Sequence, residues 1–476
     1  MAYEEAARHY ATALRVIETT GSADPGATGE LLVSLGEALS RAGSASEAKE
    51  ALRRAAGVAD REGRPDLLAR AALEYGGRFA WARAGSDPAL VPLLQRALTA
   101  VGPGDSTERV RLLGRLAGAL RDEPLVDHRT RLAEDAVEMA GRLGDPATLA
   151  FALEGHFIAV EGPDNLGMGL DLGARLVALG EEIGDRERVF AGHDHLSHSV
   201  WQIADRPALD VELDTLSRVA DELRQPSQRW AVGTCQTMLA LMEGRWADAE
   251  RLIGETKALG EPATGWNATV TERIALFVLR REQCRLAELE ETIRRSVHEY
   301  PALLRFRCAL AHLYAETGNE SGLRAVLDDL LARDLAREHR DAEWTFSIAL
   351  LADPCAYAGD ADAAARLYEL LLPCERLYAQ APVEAVFGAA ARGLGVLATV
   401  LGRLDEAERH FEVAMDIERD MRARPWLAHV QHDLAGMLRA RGSAGDSERA
   451  DDLAGDAVAA FRELGMETWA ERAAAV

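Results

Sequence analysis

The chain has 476 residues, 48% of them hydrophobic and 28% charged, with a formal net charge of −24 at pH 7. That balance excludes nucleic acid as the main partner, because phosphate binding needs a surplus of Lys and Arg. It also excludes an anionic membrane surface. The acidity fits a solvated exterior that keeps the chain in solution, with attraction to a basic partner as the functional alternative.

Aromatics make up only 5% of the residues, and the apolar content is mostly Ala, Leu and Val, which with Arg and Glu favours helix. Lys49 and Lys257 are the only lysines, an Arg bias that suggests a GC-rich bacterial genome. Cys235, Cys284, Cys308, Cys355 and Cys374 are odd in number, widely spaced and free of any CxxC. They read as reduced thiols in a cytoplasmic protein. No apolar run is long enough to cross a membrane, and the N-terminus lacks the apolar stretch of a secretory leader.

In chain order, Ala6, Tyr10 and Ala13 share one helical face near the N-terminus. Residues 1–20 read as the second helix of an incomplete hairpin, continuing a longer protein upstream, or as a simple capping helix. Then, at intervals of 34 to 43 residues, the chain repeats one unit of apolar helix, short polar turn and second apolar helix. The turns fall near Gly43, Gly85, Asp122, Gly162, Asp205, Gly244, Cys284, Gly318, Gly359, Gly402 and Gly442. A fixed period of this size marks stacked repeats, since one hairpin cannot bury its apolar face alone.

The spacing therefore predicts an all-α solenoid of about eleven stacked hairpins. It spans 1–476 as a single domain, with repeats over 21–465 and a C-terminal end at 466–476. Soft joints are expected at 20–26, at 101–105, where Asp105 or Ser106 would cap a helix, at 161–165, and in the longer turn 441–447. None reads as an interdomain linker.

The small and large positions are clearest in Leu32, Leu35, Gly36 and Leu39 before Gly43, with Ala48, Leu52 and Ala55 after it. They recur as Leu394, Gly395 and Ala398 before Gly402, with Ala407, Phe411 and Ala414 after it. On these residues the chain resembles tetratricopeptide repeats, most strongly at 30–56 and 386–418, well at 307–331 and 344–372, and weakly at 125–205. That resemblance implies a right-handed superhelical solenoid; the period exceeds the usual 34, which implies longer helices or loops and a different superhelical pitch.

The stretches 225–230, 243–250, 402–411, 423–428 and 463–466 resemble the C-terminal helical-repeat arm of large ATP-binding, LuxR-type bacterial transcriptional regulators. That resemblance implies a cytoplasmic sensor arm. Its partners would be a protein or peptide, or an ATPase or DNA-binding domain on the same or a neighbouring chain. No GxxxxGK[ST] phosphate loop is present, and nothing after Trp469 could form a DNA-reading helix pair. No cofactor is expected.

The tetratricopeptide register puts the first helix of each hairpin on the inner face. The resemblance thereby implies a basic concave stripe of Arg111, Arg115, Arg305, His312, Arg392, His429, His432 and Arg439, suited to carboxylates of a peptide or acidic partner. The bland alternative is pairing with Glu one turn away. Trp230 and Trp344 read as core; Trp201, Trp266 and Trp426 could equally anchor a ligand.

The sharpest chemical cluster is His193, Asp194, His195 and His198, a weak metal candidate. The His193-Asp194 pair is similar to that of metal-dependent HD-type phosphohydrolases, but the further ligands they need are missing. Ordinary hydrogen bonds on a helix surface are the plainer reading, and neither a GxSxG elbow nor a reactive cysteine motif occurs. Three functions follow: a non-enzymatic protein- or peptide-binding scaffold, a small-molecule sensor whose superhelix closes into a pocket lined by Trp and Arg, and a metal-dependent hydrolase at 193–198.

Overall fold

Ala- and Leu-rich segments, many opened by Pro at the first helical turn or by an Asp cap, form twenty-five α-helices among the described residues. The computed structural model describes residues 2–20, 24–77, 87–121, 126–333, 335 and 340–475. Helix α1 (Ala2–Thr20) packs against α2. Hairpins follow as α2 (Pro25–Ala42) with α3 (Ala45–Glu62), α4 (Pro65–Tyr75) with α5 (Leu90–Val101), and α6 (Thr107–Ala119) with α7 (Val126–Leu143). Next come α8 (Pro146–Val160) with α9 (Leu166–Ile183), α10 (Arg186–Gln202) with α11 (Arg206–Leu223), and α12 (Pro226–Glu243) with α13 (Trp246–Thr264).

The second half continues with α14 (Trp266–Glu282) and α15 (Glu290–Glu299), then α16 (Leu304–Glu316) and α17 (Glu320–Ala332). A first helix broken into α18 (Trp344–Leu350) and α19 (Ala352–Ala358) pairs with α20 (Ala361–Leu371). The last pairs are α21 (Ala390–Val400) with α22 (Leu404–Asp420) and α23 (Arg424–Arg441) with α24 (Asp446–Glu463), before a closing α25 (Glu467–Ala475). All nine expected turns that fall on described residues separate the two helices of a hairpin; those near Gly85 and Asp122 lie outside the described residues, as do residues 21–23 of the first soft joint. Ser106, not Asp105, caps α6 by accepting from Arg109 N–H at 3.2 Å, while Asp105 pairs with Arg142.

First helices are buried nearly all round and second helices on one face, so the first helices line the inside of the coil. The winding is tight. A Cβ on Gly43, at the turn of the first hairpin, would lie 2.9 Å from Pro226 of the sixth, and one on Gly244, at the turn of the sixth, 2.9 Å from Pro425 of the eleventh. Arg340, ahead of the ninth hairpin, pairs with Asp164 of the fourth. Each contact spans five hairpins, so five complete one superhelical turn and successive turns touch.

Polar ties cross the same seam: Arg206 donates to Met421 O at 2.9 Å and Trp246 to Leu464 O at 2.9 Å. The accessible surface of 18754 Å² is close to the roughly 17,000 Å² of a compact globular chain of this mass.

The axis of the coil is filled. Strands β1 (Tyr378–Ala381) and β2 (Ala385–Ala389) form an antiparallel hairpin in which every residue is buried. Inner helices α10, α12, α14, α18, α21 and α23 pack around it. This corrects the sequence reading, which placed 386–418 within a repeat: the repeat helix begins at Ala390. The cause is local. Pro382 sets the first corner of the turn, Glu384 N–H donates to Ala381 O at 3.0 Å, and Val383 takes a left-handed φ of 58°. That φ is costly for a β-branched residue and is held by burial of its side chain.

Candidate functional site

The inner face places the expected residues unequally. Arg111 and Arg115 on α6 stack their guanidinium groups over Phe151 of α8 at 5.8 and 5.5 Å. Arg305 on α16 is buried and forms a 2.5 Å ion pair with Glu384, in the turn of the β-hairpin. Arg439 sits on the exposed side of α23, paired with Asp451. Among the described residues these groups do not form one continuous open stripe: the β-hairpin occupies the groove, and Arg305, Arg392 and His429 already hold carboxylates of the same chain.

Arg281, Asp353, Arg392 and Asp433 form a chain of alternating charge across α14, α19, α21 and α23. Arg281 Nη2 donates to Asp353 Oδ2 at 2.7 Å, Arg392 Nη2 donates to Asp353 Oδ1 at 2.9 Å, and Arg392 Nε lies 2.8 Å from Asp433 Oδ2. Arg281 also donates to Glu282 at 2.5 Å. Glu282 in turn lies 2.7 Å from Nε2 of His429. Burial raises the Asp353 carboxyl, but Arg392 and Arg281 outweigh it and hold it well below the usual range. The same contest, won by Arg281 and His429, brings Glu282 down to about 2. Burial lowers His429 and His312 to about 4, so both are neutral at pH 7.

His312 shows how local sequence builds this layer. Pro354 has no N–H for the carbonyl of Leu350 four residues earlier, and the helix breaks there into α18 and α19. Nε2 of His312 lies 2.5 Å from that carbonyl oxygen and donates to it. The break also turns Asp353 towards the two arginines.

Above this layer the coil opens into a cup of about 670 Å³ at its C-terminal end. Its floor is Arg281, His312, Asp353 and Arg392, and its wall carries Glu316, Tyr357, Val396, His432, Asp433, Trp469 and Arg472. Six consecutive inner helices, α14, α16, α19, α21, α23 and α25, supply these side chains. Trp469 is the common platform: Arg281 lies 5.0 Å and Arg472 4.7 Å from its ring centroid, and the His429 ring meets it edge-on at 4.4 Å. A second, open cavity of about 740 Å³ lies on another side of α25, between the Gly244 turn and the Leu464–Trp469 segment.

The cluster at 193–198 does not converge. His193 Nδ1 turns to Glu212 on α11 at 2.6 Å, whereas His198 Nδ1 meets Glu161 at 3.0 Å. His195 stacks on Phe157 with ring centroids 3.9 Å apart. Burial works against a charged His198, but Asp194 and Glu161 raise its pKa above the ordinary value. Among the described residues no group of three or more His, Cys, Asp or Glu is placed to hold one metal ion.

Trp201, Trp230, Trp344 and Trp426 are buried core, and Trp266 is half-buried. All five cysteines are free, and no described helix is long and apolar enough to cross a membrane. Sequence reasoning found His312, Arg392, His429 and His432 of the cup region and missed Arg281, Glu282, Asp353, Asp433, Trp469 and Arg472. The signal available for Asp353 was a carboxylate directly before Pro354 inside an otherwise apolar helix.

No known protein-family model matches the chain, and no curated protein sequence matches it. Among solved structures it is similar to the Cut9–Hcn1 hetero-tetramer of the APC/C, with 12% identity over 99% of this chain and 82% of that one, at a TM-score of 0.47. It is also similar to Naa15/Naa10 bound to HypK, with 10% identity, 97% and 88% coverage and a TM-score of 0.25. A circular tandem repeat protein matches at 17% identity, 99% and 95% coverage and a TM-score of 0.15. None reaches 0.5, and the helical-repeat assignment rests on the hairpins themselves.

Proposed function

We propose that the protein is a non-enzymatic binding module that receives a peptide or protein segment end-on in the C-terminal cup, not along the length of the groove. One observation carries this reading: the coil is wound shut around its own β-hairpin, and the concavity left at the end of the axis is lined by charged and aromatic side chains from six helices. Alternating charge with an aromatic platform suits recognition by hydrogen bonds and stacking. The resemblance of 225–230, 243–250 and 402–411 to the arms of LuxR-type regulators supports a sensor role in bacterial signalling. There an ATPase or DNA-binding unit, on the same or a neighbouring chain, would read the occupied state.

The cup's volume favours one second reading, a small-molecule sensor, because it falls in the 300–1,000 Å³ range typical of ligand pockets. A photo-crosslinking residue in place of Tyr357, which is 52% exposed in the cup wall, tests the site in cell extract. A discrete adduct is expected, lost when Val396→Trp fills the cup and absent when the crosslinker replaces Val211 on the outer face. Equal labelling at both positions would contradict the assignment.

A further inference from the structure

The charges lining the cup divide into those already satisfied and those left over. Arg281 and Arg392 are each buried and saturated by carboxylates of the chain, Glu282 and Asp353 for one, Asp353 and Asp433 for the other. Two groups remain. Arg472, exposed on α25, lies over the face of Trp469 and makes no ion pair among the described residues. Glu316, half-buried at the end of α16, accepts the backbone N–H of Leu286 at 2.8 Å and likewise faces no cation within ion-pair distance. Both line the same cavity, Glu316 from the end of α16 and Arg472 from α25, and burial raises the Glu316 carboxyl against the pull of the Leu286 N–H, Arg472 and Arg281. Arginines and carboxylates of the lining balance, Arg281, Arg392 and Arg472 against Asp353, Asp433 and Glu316, with His432 as the one histidine besides His312.

A balanced lining gives a polyanion such as a nucleotide no net attraction and a polycation none either. A ligand that is itself dipolar gains at both leftover groups, one end on the guanidinium and the other on the carboxylate. Between them Ala315, Ala356, Val396, Tyr357 and Trp469 offer apolar and aromatic contact. The volume equals that of about twenty water molecules, enough for an amino acid or a peptide of a few residues.

We infer that the cup binds a zwitterion of amino-acid to short-peptide size, its carboxylate on Arg472, its ammonium on Glu316 and an apolar side chain against Trp469 and Tyr357. This rests on the cup being the ligand site, and it narrows the ligand from any protein segment to one with both charged ends free.

The test is calorimetric titration of the full chain with Leu, Phe, Leu-Leu and Phe-Leu, each also as its N-acetyl and its C-amide form. Free ligands are expected to bind about tenfold or more tightly than either blocked form. Whether the free amino acids or the dipeptides bind more tightly identifies the source. Glu316→Gln keeps the acceptor for Leu286 N–H, and it should erase the difference between free and N-acetyl ligands while leaving N-acetyl binding unchanged. Arg472→Gln should do the same for the C-amides. Blocked and free ligands binding alike, or no member of the panel binding, overturns the zwitterion. If the Tyr357 crosslinker still yields an adduct in those cases, the cup remains the ligand site; if it does not, that reading falls separately.

Discussion

At the scale of single residues, one layer of an otherwise apolar interior is built from buried charge, and stability should respond to each pairing in it. Asp353 compensates both Arg281 and Arg392. Asp353→Ala leaves two buried guanidinium groups short of a partner. With 23% of the carboxylate side chain exposed, the loss should fall near the lower end for a broken buried pair, about 3 kcal/mol, measurable by chemical denaturation.

Glu418 is the opposite case. Its carboxyl accepts from Ala389 N–H at 2.6 Å and from the Tyr378 hydroxyl at 3.1 Å. Burial raises its pKa from 4.5 to about 8 despite those bonds. The folded value lies above the unfolded one, so its contribution to stability is complete below about pH 4.5 and is lost as pH rises through about 8. Glu418→Gln should flatten the fall in melting temperature between about pH 4.5 and 8; an unchanged slope would show that Glu418 is ionised in the folded protein.

At the scale of elements, helix existence and pairing were legible because each turn carries its own punctuation. Gly43, Gly244, Gly318 and Gly442 all adopt left-handed φ at helix C-termini, the conformation that glycine reaches without strain. The β-hairpin was not legible. Tyr378–Ala389 has neither an Asn-Gly turn nor apolar–polar alternation, because both faces of both strands are buried and the pattern reads as one apolar run. Gly388 fixes its fit: φ is +75°, and a Cβ there would lie 2.7 Å from Glu418 Oε1 and 3.1 Å from the Trp426 ring. Gly388→Ala should therefore destabilise the fold by more than about 1 kcal/mol, whereas Ala substituted at Gly254, where a Cβ meets nothing within 4 Å, should not. Equal melting temperatures for the two variants would contradict the tight seat of the hairpin.

At the scale of the whole molecule, the period announced a solenoid but not how tightly it winds. Pitch follows from side chains that meet across turns five hairpins apart, such as Arg340 with Asp164 and Trp246 with the Leu464 carbonyl, and no local pattern encodes partners at that separation. The inner register was legible, so His312, Arg392 and His429 were found on the right face. Their partners were not: Glu282, four hairpins from His429, becomes its neighbour only once the coil closes, and Asp353, one hairpin from Arg392, reaches it through the break before Pro354. What the sequence presented as an open basic groove is thus an axis filled by the β-hairpin, with a cup beside α25.

Hydrogen exchange followed by mass spectrometry on peptides covering 378–389 tests this most directly. A hairpin enclosed by six inner helices should exchange as slowly as α21 and α23, in step with global unfolding. Exchange of that segment within seconds, while those helices stay protected, would place it outside the coil and return the groove to an open binding surface.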